Sequence, residues 1–148
     1  MCSSDLITPH EGEAAKLGFP IKNGDRKTAA LALAKHFHVI VVLKGNQTLI
    51  AGPDGSLMID KNGGSELATA GTGDILAGLI ASMLSSWAPE NVKECVQVVA
   101  KAVAAHGLAG KFAAKTKAPI TATDLLEALP QVLRGSRDRK STRLNSSH

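Results

Sequence analysis

Five consecutive apolar residues, Val39-Ile-Val-Val-Leu43, stand between His38 and Lys44 and constrain the fold more than any other stretch of this chain. Four of the five are β-branched, which favours a strand over a helix. Successive side chains of a strand point to opposite faces, so a strand apolar at every position must be covered on both. A sheet with helices on both sides is the simplest way to do that, and the flanking sequence supplies the helices. Leu6-Ile-Thr8 reads as the end of a strand, Pro9 to Leu17 as a turn into a short helix, and Asp25 to His36 as a second, Ala- and Leu-rich helix. After the apolar run, Gln47–Ala51 and Ser56–Asp60 read as a hairpin turned at Pro53-Asp-Gly55. Helices are expected from about Asp74 to Leu84, from Glu90 behind Pro89 to about Lys115, and from Thr123-Asp124 to just before Arg134, with Thr123 as the last one's cap. The fold class is α/β.

At 148 residues and 44% hydrophobic, the chain can enclose one substantial core. Its aromatic residues are Phe19, Phe37, Trp87 and Phe112, so that core must be aliphatic. No apolar run reaches the roughly 18 residues that cross a bilayer, and the N-terminus lacks the charged and then apolar segments of a secretory signal. Cys2 and Cys95 are too few and too far apart in sequence for a disulfide framework or a zinc site, and fit a reducing, cytoplasmic setting. The isoelectric point of 9.2 invites a nucleic-acid partner, but the charge is local. Arg134, Arg137, Arg139, Lys140 and Arg143 face a single acid, Asp138, after residue 133; five of the 17 bases and one of the 13 acids therefore lie there, leaving twelve of each in residues 1–133. The body has no electrostatic reason to bind a polyanion. Residues 138–148 show no apolar periodicity, and both they and Met1–Leu6 resemble translated sequencing-adapter read-through. The expectation is a non-native leader at 1–6, a folded domain at 7–133 and a disordered, non-native basic tail at 134–148.

Chemistry concentrates in Leu67-Ala-Thr-Ala-Gly-Thr-Gly-Asp74-Ile-Leu-Ala-Gly78. Small residues let a ligand approach the backbone, and glycines allow successive N–H groups to turn inward. A helix starting at the end of this loop adds unpaired N–H groups and the positive end of its dipole, which together suit a phosphate. Ile75, Leu76, Leu79, Ile80, Met83 and Leu84 give that helix a core-facing side, and Gly78 within it suggests close packing against a neighbour.

Ala70-Gly-Thr-Gly-Asp74 ahead of an apolar helix resembles the signature of the ribokinase-like superfamily. Thr8-Pro-His-Glu-Gly-Glu13, Lys44-Gly-Asn-Gln-Thr48 and Ala105-His-Gly-Leu-Ala-Gly110 resemble, in order and spacing, three motifs of the ADP-dependent NAD(P)H-hydrate dehydratases of that superfamily, over roughly residues 6–133. The resemblance implies a three-layer α/β/α fold of which this chain is the C-terminal half, family members being about twice as long and adding strands ahead of the first motif. It implies an anion hole at Ala70, Gly71, Thr72 and Gly73 and a catalytic base at Asp74. It further implies adenine-nucleotide contacts from Lys44, Gly45, Asn46, Gln47, Thr48 and Gly73, and contacts to the hydrated nicotinamide from His10 and Asp74. His106, on an Ala-rich helix, reads as a packing or capping residue. The reaction so implied is ADP-dependent (or ATP-dependent) dehydration of NADHX or NADPHX. Mg2+ would accompany the nucleotide, although no carboxylate cluster fixes a metal site. Neither nucleic acid nor membrane is an expected partner; a second copy of the chain, as a homo-oligomer, is compatible with the sequence. A small-molecule kinase of the same superfamily, or a nucleotide-binding module without turnover, would share the glycine-rich loop.

Overall fold

The strand β2 (Val39–Leu43) is buried along its whole length, as its composition requires. The computed structural model describes residues 5–63, 67, 71–116 and 118–145, with residues 136–145 described by backbone alone. Among these, four strands form one sheet in the order β1 (Asp5–Ile7), β2, β3 (Thr48–Ala51), β4 (Leu57–Asp60). β1 runs parallel to β2, and β2, β3 and β4 are successively antiparallel. The ends of β1, β2 and β4 and the start of β3 therefore lie at one end of the sheet.

The alternation of β2 sorts its side chains into two cores. Ile40 and Val42 meet Leu76 and Ile80 of α3 (Thr72–Trp87) and Val96, Val99 and Val103 of α4 (Val92–Thr116). Val39, Val41 and Leu43 meet Ala14 of α1 (Glu11–Lys16) and Ala30, Leu33 and Ala34 of α2 (Arg26–Phe37). This is a three-layer α/β/α arrangement with aliphatic cores on both faces of the sheet. The last helix, α5 (Ala122–Asn145), packs Leu125, Ala128 and Leu129 against Ala109 and Ala113 of α4 and against Ile75 and Leu79 of α3.

Several local expectations change. Asp5 and Leu6, assigned above to a leader, pair with Val39 and Ile40; main-chain pairing is indifferent to side-chain identity, and Leu6 adds an apolar side chain to the α3–α4 core. The helix expected to stop before Arg134 continues through residues expected to be disordered, to Asn145. Arginine and lysine are good helix formers, and propagation costs little once a packed segment has nucleated the helix. Its cap is Thr121 rather than Thr123: Thr121 Oγ1 accepts from Asp124 N at 3.2 Å, and Asp124 Oδ2 accepts from Thr121 N at 2.7 Å. Helix α4 starts two residues past the expected Glu90, where the Asn91 side chain accepts from Glu94 N at 2.9 Å. Cys95, fully buried, is disulfide-bonded, where the sequence suggested no disulfide framework and a reducing setting. None of the helices among the described residues is long and apolar enough to cross a membrane.

Candidate functional site

The shared end of the sheet gathers most of the residues singled out by sequence. β1 runs out into Thr8-Pro9-His10 and β2 into Lys44, and the two exits are tied: His10 and Lys44 form a parallel bridge, and Lys44 N donates to Pro9 O at 2.9 Å. His10 caps α1. Its Nδ1 accepts from Glu13 N at 3.1 Å, while Glu13 Oε1 accepts from His10 N at 3.2 Å and lies 3.1 Å from His10 Nε2. The His10 backbone N–H holds the Glu13 carboxyl below the usual carboxylate range, helped by the charges of His10, Lys44 and Lys16. The His10 side chain is 60% exposed, so it serves the cap while remaining open to solvent.

The loop Lys44–Gln47 joins β2 to β3, and Arg26 of α2 holds it from below. The Arg26 guanidinium donates to the carbonyls of Leu43 and Lys44, each at 3.3 Å, and to that of Gln47. Its Nε sits 2.7 Å from Glu11 Oε1, a charge contact without the alignment of a hydrogen bond. A side chain at Gly45 would run into this guanidinium and have to displace it. One cation thus fixes the nucleotide-motif loop and, through Glu11, the helix behind His10. Arg26 carries no sequence signal: it is one base among 17, and the carbonyls it holds lie 17 to 21 residues away.

Across from this loop, α3 begins. Gly71 is its N-cap in the left-handed region (φ 89°), a conformation suited to glycine, and it offers no side chain to the first turn. Thr72 is buried and its Oγ1 donates to Leu67 O at 2.7 Å. A Cβ placed on Gly73 would stand 3.9 Å from Lys44 Nζ, so the ammonium reaches the first turn of α3. Asp74 follows, exposed, in the same turn. The structure therefore brings Lys44, Thr72, Gly73 and Asp74 together and sets His10 and Glu13 on the adjoining exit of β1. Gly45, Asn46 and Gln47 are exposed on the loop, and Thr48 opens β3. Ala70 lies outside the described residues.

Behind the first turn of α3 lies His106 of α4, only 5% exposed, with Nε2 2.9 Å from Thr72 O. Burial pushes its pKa below the ordinary 6.5, and the bond to Thr72 and the charge of Asp60 oppose that only in part. Asp60, buried at the end of β4, accepts from Asn62 N at 3.2 Å and Asn62 Nδ2 at 2.7 Å. Next to His106, Gly107 lets α4 touch main chain: a Cβ there would lie 2.8 Å from Asn62 C and 2.9 Å from Gly63 N. Sequence reasoning read His106 as a packing or capping residue, in keeping with its burial and its contact to Thr72 O, and used Gly107 only as part of a motif. A Cβ at Gly78, by contrast, meets nothing within 4 Å among the described residues, so the close packing expected there is not seen among them.

A positively charged side chain, a helix N-terminus and an exposed carboxylate at strand ends form a place where a phosphorylated ligand can be held and a proton accepted. The family model for NAD(P)H-hydrate dehydratase matches residues 3–131. The chain belongs to that family. The bifunctional NAD(P)H-hydrate repair enzyme Nnr of Thermofilum pendens is 38% identical over 138 residues, covering 90% of this chain and 25% of the relative. The crystal structure of an ADP/ATP-dependent NAD(P)H-hydrate dehydratase from Bacillus subtilis, co-crystallised with ATP/Mg2+, superposes with a TM-score of 0.76 at 34% identity, over 88% of this chain and 47% of that one. A ribokinase-like superfamily protein from Enterococcus faecalis does so with a TM-score of 0.74 at 30% identity, over 88% and 44%. The fold is therefore ribokinase-like, and the chain spans a quarter to about half of the length of these relatives.

Proposed function

We propose that this chain carries the nucleotide-binding and catalytic part of an enzyme that removes water from NADHX or NADPHX at the expense of ADP or ATP. The observation that carries this reading is the approach of Lys44 Nζ to the first turn of α3 at Gly73, beside Asp74. In it, Lys44, Gly45, Asn46, Gln47 and Thr48 hold the adenine nucleotide together with Gly73. The anion hole that the motif assigns to Ala70, Gly71, Thr72 and Gly73 takes its terminal phosphate, and His10 and Asp74 meet the hydrated nicotinamide. Among the described residues no three His, Cys, Asp or Glu side chains converge as a metal site, so Mg2+ would arrive on the phosphate oxygens of the nucleotide.

Hydroxide leaves carbon poorly, and phosphate leaves well. The terminal phosphoryl group of the nucleotide passes to the hydroxyl oxygen of the hydrate, whose proton goes to the Asp74 carboxylate; the nucleotide departs one phosphate shorter. The C–O bond then breaks with phosphate as the leaving group, and the neighbouring ring carbon gives up its proton to that phosphate, which restores the double bond. Backbone N–H donors and the helix dipole need no reorganisation as charge builds on the phosphoryl oxygens, which is how such a site lowers a barrier.

Asp74→Asn tests the assignment, because asparagine keeps the size but cannot accept a proton. Regeneration of NADH from NADHX with ADP, followed by ultraviolet absorbance, should fall by roughly 10²–10⁴, with ADP affinity little changed. The assay is run on this chain and on one extended by the N-terminal half that its relatives carry. Near-normal dehydration by the variant sinks the role of Asp74, and a stable phosphorylated product without dehydration points to a kinase instead.

A further inference from the structure

His106 lies outside the residues assigned to nucleotide or substrate, yet it is buried against the first turn of α3. A carbonyl oxygen can only accept, so the 2.9 Å contact from Nε2 to Thr72 O requires the hydrogen on Nε2. The Thr72 carbonyl and the Gly73 N–H belong to one planar trans peptide and point in opposite directions. Whatever fixes that carbonyl fixes the direction of the Gly73 N–H. We propose that His106 is a positioning residue for the phosphate site: through Thr72 O it aims the Gly73 N–H into the space reached by the Lys44 ammonium.

Three further features support this. Lys44 Nζ stands 3.9 Å from the position of a Cβ on Gly73, so the cation and the oriented peptide serve one locus. Gly107 seats α4 directly on the main chain of Asn62 and Gly63, which sets the depth at which the ring meets α3. The groups facing the ring are the Thr72 carbonyl from α3, Asp60 from the end of β4 and Lys44 from the end of β2; burial, joined by the Lys44 charge, outweighs the carbonyl and Asp60 and keeps the ring neutral near pH 7. A neutral donor suits the task, because it adds no charge that would change with modest acidification. Donation into the carbonyl also polarises the same peptide and strengthens its N–H as a donor to an anion.

This inference rests on the reading of the site as one for nucleotide phosphate, and the experiment separates the two. ADP and adenosine affinities are measured by calorimetry for the native chain, Gly73→Val, His106→Gln and His106→Leu. Gln retains an N–H near the position of Nε2, while Leu fills space without a donor. The expected pattern is an ADP affinity about tenfold lower in His106→Leu, largely restored in His106→Gln, with adenosine binding the same in all three. Equal ADP affinity in His106→Leu, equal loss in both His106 variants, or parallel loss of adenosine overturns the inference. Failure of the native chain to bind ADP, or unchanged ADP affinity in Gly73→Val, overturns the site itself. Should His106→Leu not fold, nitrogen NMR of the native ring decides: the Nε2–H tautomer with a resonance that moves on adding ADP supports the inference, and an Nδ1–H tautomer overturns it.

Discussion

Two glycines in the interiors of adjacent helices should respond to the same substitution with opposite signs. At Gly78 of α3 a Cβ would meet nothing within 4 Å, whereas at Gly107 of α4 it would stand 2.8, 2.9 and 3.0 Å from Asn62 C, Gly63 N and Asn62 O. Replacing a mid-helix glycine by alanine contributes about 1 kcal/mol from backbone entropy alone, and Gly78→Ala should gain most of that. At Gly107 the same gain is opposed by overlap of more than half an ångström with main chain, because ordinary carbon contacts lie near 3.5–4.0 Å. Overpacking of this kind costs about 1–3 kcal/mol, and here no flexible side chain can swing aside, so the upper end applies. The net expectation for Gly107→Ala is a loss of about 1–2 kcal/mol. With roughly 2–4 °C per kcal/mol for a chain of this size, Gly78→Ala should raise the melting temperature by about 2–4 °C and Gly107→Ala lower it by about 2–8 °C. Urea titration gives the free energies directly, provided the slope is unchanged between variants. Gly107→Ala should also weaken ADP binding, because it lifts α4, and with it His106, away from the first turn of α3. Equal stabilisation by both alanines would refute the close approach of α4 to Asn62–Gly63.

Two other outcomes follow from side chains near the site. Arg26→Met keeps the aliphatic stem but removes the donors to the carbonyls of Leu43, Lys44 and Gln47; it should cost about 1–2 kcal/mol of stability and several-fold in ADP affinity, whereas Glu11→Gln, whose ion pair is half exposed, should change stability by less than about 1 kcal/mol, both read by urea titration and calorimetry. The His106 pKa is lowered on folding from 6.5, so as pH drops below about 6.5 the unfolded chain takes up a proton that the folded chain resists; stability should therefore fall toward acid in this window, and His106→Gln should flatten that part of the curve.

What could be read from sequence follows a physical division. Val39–Leu43 announces a two-faced strand because period-two burial leaves a trace at every position, and the odd and even residues duly enter separate cores. The glycine-rich and Lys44–Thr48 motifs were visible for a similar reason: a loop of small residues restricts residue type within a few consecutive positions. Arg26, by contrast, acts on carbonyls that are remote in sequence, and a carbonyl imposes no residue type on its partner. Gly78 and Gly107 illustrate the same limit. Each is a mid-helix glycine within an apolar pattern, and only the position of Asn62 and Gly63 against α4 tells the necessary one from the dispensable one. The extension of α5 to Asn145 was obscured because lack of an apolar stripe argues against packing, not against helix.

The charge distribution also explains why the basic terminus says little about the site. Residues 1–133 hold equal numbers of acidic and basic side chains, and the described end of the sheet gathers Glu13, Asp60 and Asp74 along with Lys44. A phosphate held there by lysines alone would face those carboxylates at short range. Main-chain N–H groups at a helix start avoid the difficulty: they attract an anion without adding mobile charge, and in the function proposed above they leave the Asp74 carboxylate for the substrate hydroxyl. Such a donor is useful only if its peptide is held in one orientation, which a side chain on the same loop could not do without occupying the ligand's space. The restraint has to come from the buried side, and His106 reaches Thr72 O from there, on a helix seated against the end of β4 by a residue with no side chain.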